Sequence, residues 1–493
     1  MKIAVEGCAH GELEIIYDTV QALEAKENVK IDLLICCGDF QASRNEADLR
    51  CMAVPPKYYN ICSFYKYYTG EKEAPMLTIF VGGNHEASNY LQELPYGGWV
   101  APNIYYLGYA SVINIAGVRI GGISGIYKGQ DYLKGHFETP PYDNSTKRSV
   151  YHIRNLEIFR LKQVSQPVDI FISHDWPVGI WNYGDSKQLL RCKPYFRDDM
   201  ESGKLGSKPF EELLNHLQPK YWFAAHLHCK FAALVQHSEK KATKFLALDK
   251  CLPKRRFLQI TDIPHDTNLK IELTYDLEWL TILNLTNDML SVKAVHTYMP
   301  GPGWVQRWQF TPTEEEKSKT LMRFSNNLVV PRNFTKTAEA YNPQNPKSRY
   351  VKSPSPYINN QTVEFCNKLE VDDPLVLLNA FSTNIGLKEE DGLTAAESQD
   401  DLLSTEDEES EAYETFNKIT PSKLSLSLPK PKYDSTQSTN FSVDSESTIS
   451  VFCESTSSDT SGIVNDIHMS KDDSPMIKKF KRRNADIYCV EET

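Results

Sequence analysis

The sequence predicts a layered α/β domain, followed by an accessory region and an acidic tail expected to be disordered. Three observations predict this. Short apolar, β-prone runs alternate with segments whose apolar residues recur at helical spacing. Several of those runs end in His, Asp, Asn or Cys. After about Leu387 the composition turns to Ser, Thr, Asp and Glu.

Lys2–Glu6 reads as a first buried strand, followed by the loop Gly7-Cys8-Ala9-His10-Gly11. Glu14–Asn28 places Ile15, Ile16, Val20 and Leu23 at helical spacing. Asp32–Cys37 is a second strand, with Gly38-Asp39 at its end. Asn45–Arg50 and Lys57–Tyr68 read as helical or irregular. Met76–Val81 is a third strand and runs into Gly82-Gly83-Asn84-His85-Glu86, where the glycines suit a turn of close backbone approach. Strands follow at Ile104–Leu107, Ser111–Ile115 and Val118–Ile123. Val168–Ser173 ends in His174-Asp175, Phe210–Leu217 is helical, and Tyr221–Ala225 ends in His226-Leu227-His228. Phe245–Leu248 is expected to close the sheet system.

Residues 1–260 are therefore expected to form the catalytic domain. Residues 261–350 read as a mostly helical accessory domain, 351–387 as a linker and 388–493 as the tail. Ser124–Arg154 interrupts the first domain with Gly, paired Pro, Tyr and basic residues, a connection long enough to expect a function for it.

The 493 residues allow a sizeable core, and 41% hydrophobic residues fit a globular protein. The formal net charge of −11 argues against a generally basic nucleic-acid binder. Runs such as Glu389-Glu390-Asp391 and Glu406-Asp407-Glu408-Glu409 concentrate acid in the tail, so the earlier part is nearer neutrality and can carry basic patches. Eleven cysteines without a C-x-x-C pair, and no secretory leader, predict reduced thiols in an intracellular protein. No apolar stretch approaches the length of a membrane helix, which predicts no membrane partner.

Cys8, His10, Asp39, Asn84, His174, His226 and His228 are metal-type side chains on five strand ends. Ligands gather outside the carboxyl ends of strands in α/β sheets, so loops distant in sequence can meet there. The mixture of imidazole, carboxylate, amide oxygen and one thiolate suits Mn, Fe or Zn rather than a structural zinc site. Asp39 can bridge two ions of a hydrolytic pair.

The order Cys8-x-His10, Gly38-Asp39, Gly83-Asn84-His85-Glu86, His174 and His226-x-His228 resembles the calcineurin-like metallophosphoesterase superfamily. The resemblance implies a layered β-sandwich flanked by helices and two divalent metal ions, Fe(II), Zn(II) or Mn(II). Cys8, His10 and His228 would hold one ion, Asn84, His174 and His226 the other, with Asp39 between them. It also implies a metal-activated hydroxide as nucleophile and His85 as proton donor to the leaving oxygen. Two positions depart from the pattern. Ala225 stands where Gly is usual, and Cys8 where Asp is usual, which moves that pocket toward Zn or Fe and away from Mg.

Cys8 within Val5-Glu6-Gly7-Cys8-Ala9-His10-Gly11 makes the chain similar to the lariat-debranching branch of the superfamily. Cys37–Gln41, Gly82–Ala87, Ser173–Pro177 and the insertion from Ser124 carry the same likeness over roughly Met1–Tyr350. It implies hydrolysis of the 2′,5′-phosphodiester in branched intron RNA during mRNA processing and intron turnover. Tyr127, Lys128, Lys134, His136, Arg148, His152 and Arg154 of the insertion would then contact the RNA, and Tyr132 and Tyr142 could stack on bases. A nuclear protein with spliceosome-associated or RNA-processing partners, and possible nucleocytoplasmic shuttling, is expected. Lys478–Arg483 would serve as an import signal. The competing expectation is a metallophosphoesterase for phosphoproteins or small phosphoesters.

Overall fold

The computed structural model describes residues 1–344, 351–386 and 449–450. The strands are β1 Lys2–Glu6, β2 Leu33–Cys36, β3 Leu77–Phe80, β4 Gly98–Ala101, β5 Ile104–Tyr106, β6 Ala110–Ile115 and β7 Val118–Ile123. They continue with β8 Ile170–Ser173, β9 Tyr221–Ala224, β10 Phe231–Ser238, β11 Lys241–Ala247, β12 Leu258–Asp262, β13 Leu273–Tyr275 and β14 Ile449–Ser450. They form two sheets, in the orders β14-β12-β1-β2-β3-β5-β4 and β10-β11-β9-β8-β7-β6-β13. The centre of each is parallel: β1, β2, β3 and β5 in one, and β7, β8, β9 and β11 in the other.

Alternation along the strands explains the layering. Ile3 and Val5, Leu33 and Ile35, Ile79 and Val81 point inward and meet Ile113, Ile120, Ile170, Ile172 and Phe223 of the second sheet. Ala4, Leu34, Cys36 and Phe80 point the other way, onto Ile16, Val20 and Leu23 of the helix Leu13–Glu27. On the second sheet's outer face Phe171 and Trp222 meet Phe210, Leu213 and Leu214 of the helix Lys208–Leu217. Each such side chain, fully buried, is worth about 1.5–3 kcal/mol relative to exposure. The result is a two-sheet sandwich with helices outside, as the metallophosphoesterase resemblance implies.

Three expectations need correction. Phe245–Leu248 does not close its sheet, because β10 adds an antiparallel edge strand beyond β11. Residues 261–350 are not mostly helical: beside β12, β13 and the helices Leu277–Leu285 and Glu314–Arg323 lie long irregular stretches packed on the domain. Nor is 351–387 a linker over its described part. The helix Asn360–Leu369 buries Phe365, Cys366 and Leu369 in the outer core. Its Gln361 also receives the Trp99 N–H at 2.8 Å and donates to the Trp99 carbonyl at 2.9 Å. That side chain supplies the free edge of β4 with the partners a further strand would have supplied. The basic cluster Lys478–Arg483 and the acidic runs lie outside the described residues.

Candidate metal centre

The expected ligands sit on the loops that leave β1, β2, β3, β8 and β9, all at one end of the sandwich. Two glycines make the close approach possible. A Cβ on Gly83 would lie 2.2 Å from Asp39 Oδ1, and one on Gly38 would lie 2.2 Å from His174 Nδ1. His10, Asp39, His226 and His228 have left-handed backbone, with φ of 45°, 47°, 61° and 45°. Non-glycine residues seldom adopt this conformation, and clusters of it mark sites where geometry is fixed at some conformational cost.

Ligand atoms of Cys8, His10, Asp39 and His228 all lie within 4.8 Å of one another. His10 Nε2 stands 3.3 Å from His228 Nε2 and 3.7 Å from Asp39 Oδ2. The Cys8 thiol is buried and receives the His226 backbone N–H at 3.2 Å. A second group lies across Asp39: His174 Nε2 is 3.2 Å from Asp39 Oδ1 and 3.1 Å from Asn84 Oδ1. The rings of His174 and His226 are 5.0 Å apart. His174 Nδ1 donates to the Cys37 carbonyl at 2.9 Å, which turns Nε2 toward the centre. His85 is beside both groups, with Nδ1 3.5 Å from Asp39 Oδ2 and its ring centroid 5.5 Å from that of His10.

The electrostatics suit cation binding. Burial holds His10 and His226 at about 3 and His228 well below the ordinary imidazole range, so these rings are neutral and keep lone pairs for a metal. Burial alone would raise the Asp39 carboxyl, but the His174, His85 and His10 imidazoles outweigh it and hold Asp39 well below its usual value. Burial opposes protonation of His174 too, yet Asp39 beside it raises that ring. Burial, with the Asp39 and Glu6 carboxylates, pushes the Cys8 thiol up, so a metal taken by Cys8 must displace a proton. These donors fit a pair of divalent ions sharing Asp39.

Sequence reasoning gave Glu86 no role. Its buried carboxylate accepts the N–H groups of Phe40, Gln41 and Gly83 at 2.7, 2.9 and 2.9 Å and so ties the β2 and β3 loops together. Burial, then Asp39, raises it to about 7. Its place in Asn84-His85-Glu86 was the available signal. Lys250 was also missed. It is the register partner of Cys8 in a parallel bridge, which aims both side chains to one side of the backbone.

The insertion is anchored beside the centre. Gly125 N–H donates to the Gly82 carbonyl at 2.8 Å and Ser124 Oγ accepts the Gly82 N–H at 2.9 Å. Tyr127, Lys128 and Lys134 are half-buried and Arg148 is exposed. The expectation of RNA contact must be corrected for His136, His152 and Arg154, which are buried and committed to carboxylates. His136 Nε2 meets Glu157 at 3.1 Å, His152 Nδ1 meets Asp131 at 2.7 Å, and Arg154 meets Glu138 at 2.6 Å. Tyr142 is likewise buried, with its hydroxyl on Gln92 Oε1 at 2.6 Å. These four hold the insertion in shape.

The calcineurin-like phosphoesterase family model matches residues 1–230, and that of the lariat debranching enzyme C-terminal domain matches residues 240–374. The lariat debranching enzyme of Drosophila melanogaster is 49% identical, covering 100% of both chains. The chain belongs to the lariat debranching enzyme family. The human lariat debranching enzyme is 53% identical over 86% of this chain and 79% of that protein. The enzyme named likewise from Arabidopsis thaliana is 52% identical over 70% of this chain and 80% of that protein. As a member of the lariat debranching enzyme family the chain is a metallophosphoesterase, a hydrolase, and Cys8, His10, Asp39 and His228 form its candidate metal site. No helix among the described residues is long and apolar enough to cross a membrane.

Proposed function

We propose that this chain debranches RNA lariats by hydrolysing the 2′,5′-phosphodiester at the branch point of excised introns, leaving linear RNA. The observation that carries the hydrolytic reading is Asp39, whose two oxygens face two separate sets of donors. Family membership supplies the substrate. At a branch the 2′-oxygen is already esterified, so it cannot attack internally and water must serve instead.

Cys8, His10 and His228 would hold one divalent ion, and Asn84, His174 and His226 the other, with Asp39 shared. The ions fitting this set are Fe(II), Zn(II) and Mn(II), with sulfur favouring Fe or Zn in the Cys8 pocket. A bound pair supplies an acidified water and positive charge at the phosphorus centre. Asp39 orients His85 by accepting its backbone N–H at 2.8 Å, and His85 gives a proton to the departing 2′-oxygen. Tyr127, Lys128, Lys134 and Arg148 offer stacking and charge to the RNA. An intron substrate places the protein in the nucleus among other RNA-processing proteins.

The test is purified protein reconstituted with Mn, Fe or Zn and given RNA containing one branch. Loss of the branch with ordinary 3′,5′ linkages intact supports the reading; equal cleavage of both linkages refutes it.

A further inference from the structure

The accessory region of this acidic chain contains a long acid-free stretch: no Asp or Glu occurs between Met289 and Thr313. The stretch has little regular structure and is displayed to solvent. Tyr298 is 65% exposed and Trp304 52% exposed, with the turn Pro300-Gly301-Pro302-Gly303 between them. Lys293 and His296 are exposed on the same segment. Arg307 is taken up by Glu316 at 2.7 Å, so the local cation is Lys293, whose Nζ lies 5.1 Å from the Phe381 ring centroid. Large aromatic rings left in water are unfavourable for folding and mark a contact surface.

Its position says what it contacts. The segment is hydrogen-bonded along the insertion: Gly135 N–H to the Lys293 carbonyl at 2.9 Å, His136 N–H to the Ser291 carbonyl at 3.0 Å, and Thr297 N–H to the Leu133 carbonyl at 2.7 Å. Asn155 Nδ2 adds a bond to the Thr297 carbonyl at 2.7 Å. The insertion itself is bonded to the Gly82 turn at the metal centre. A chain of hydrogen-bonded neighbours therefore runs from the centre, through the insertion, to the accessory region.

We propose that Leu290–Trp308 is a stacking ledge for the single-stranded arms of the branched RNA. The inference deepens the debranching reading and rests on it for the identity of the RNA. Exposed rings on a segment that carries a lysine and no acid suit unpaired bases and a phosphate backbone. An acid-free segment hydrogen-bonded to the insertion that borders the metal centre favours RNA over a protein partner.

The experiment compares wild type with Tyr298→Ala/Trp304→Ala on two branched RNAs, one with single-nucleotide arms and one with arms of ten nucleotides. For the long-armed RNA, KM rises about tenfold, as expected when a base loses its stacking ring. The kcat, the short-armed kinetics and the metal content stay unchanged. Tyr298→Phe/Trp304→Phe, which keeps aromatic rings, restores KM. Affinity for an uncleaved linear single strand falls in parallel for the Ala variant, so the ledge is tested even if branch cleavage fails. An unchanged KM for long arms, or an equal loss on both substrates, overturns the proposal.

Discussion

Asp39 turns its two oxygens to different histidines, with Oδ1 3.2 Å from His174 Nε2 and Oδ2 3.5 Å from His85 Nδ1 and 3.7 Å from His10 Nε2. An amide at this position keeps one oxygen but loses the charge and the second anionic oxygen. Asp39→Asn should therefore lower bound metal and reduce kcat by about 1000-fold or more, a scale set by the several kcal/mol that metal charge contributes at a phosphoryl group. Elemental analysis alongside single-turnover cleavage of branched RNA checks this. Full metal occupancy with unchanged rate would refute the shared role.

Cys8→Asp replaces a buried soft donor with a hard one. The variant should bind Mn or Mg more readily and Zn or Fe less, while its affinity for RNA changes little. Metal competition followed by elemental analysis reads the first effect, and RNA binding at fixed salt reads the second. A variant with unaltered metal preference would place Cys8 outside the ligand set.

His85→Ala removes the side chain beside the bridging carboxylate without removing a proposed ligand. The kcat should fall by about 100- to 10,000-fold, the usual range for one general acid. Metal content and KM should hold. Wild-type turnover in this variant would take His85 out of the mechanism.

Arg154 is 1% exposed and anchors the insertion through Glu138. Arg154→Met leaves that carboxylate buried without its partner. The expected cost is about 3–5 kcal/mol, in the range for breaking a buried pair. Urea unfolding measures it. A loss below 1 kcal/mol would show that the insertion does not depend on this pair.

His152 gives the insertion a predicted sensitivity to acid. Burial lowers its pKa despite the attraction of Asp131, with Arg154 and Lys128 adding to the lowering. For Asp131, burial works toward raising the carboxyl, but the His152 and Lys134 hydrogen bonds outweigh it and keep it low. A histidine held below its unfolded value of about 6.5 stabilises the fold above that pH, and the contribution is lost as pH falls toward the folded value. Asp131 acts in the same direction but only at lower pH. Going from pH 7 to 5 should thus quicken amide exchange over 129–136, after correction for the intrinsic rate. His152→Gln should flatten that dependence, and equal pH slopes in both proteins would count against it.

The candidate metal centre was legible in the sequence because its seven side chains follow five apolar strands within a few residues. Strand plus Gly-Asp, or strand plus Gly-Asn-His, is a local pattern. The role of His136, His152 and Arg154 was not legible. A basic residue in a long insertion looks the same in sequence whether it meets a phosphate or a buried carboxylate, and only the packing of Glu157, Asp131 and Glu138 decides between them. The helix Asn360–Leu369 was read as linker for a similar reason. Its value lies in Gln361 reaching Trp99, a contact between residues far apart in the chain.

The sheet order has a consequence for synthesis. β1 emerges first, yet its outer neighbour β12 is Leu258–Asp262, and the β6 edge waits for Leu273–Tyr275. The Cys8 loop is closed by Asp249 and Cys251, through bonds of 3.3 and 3.0 Å. A nascent chain that has delivered every ligand up to His228 still lacks the strands that border those ligands. From His228 to Asp262 a ribosome therefore adds 34 further residues before the first-made strand is enclosed, and metal loading would belong to the late stage of translation or after it.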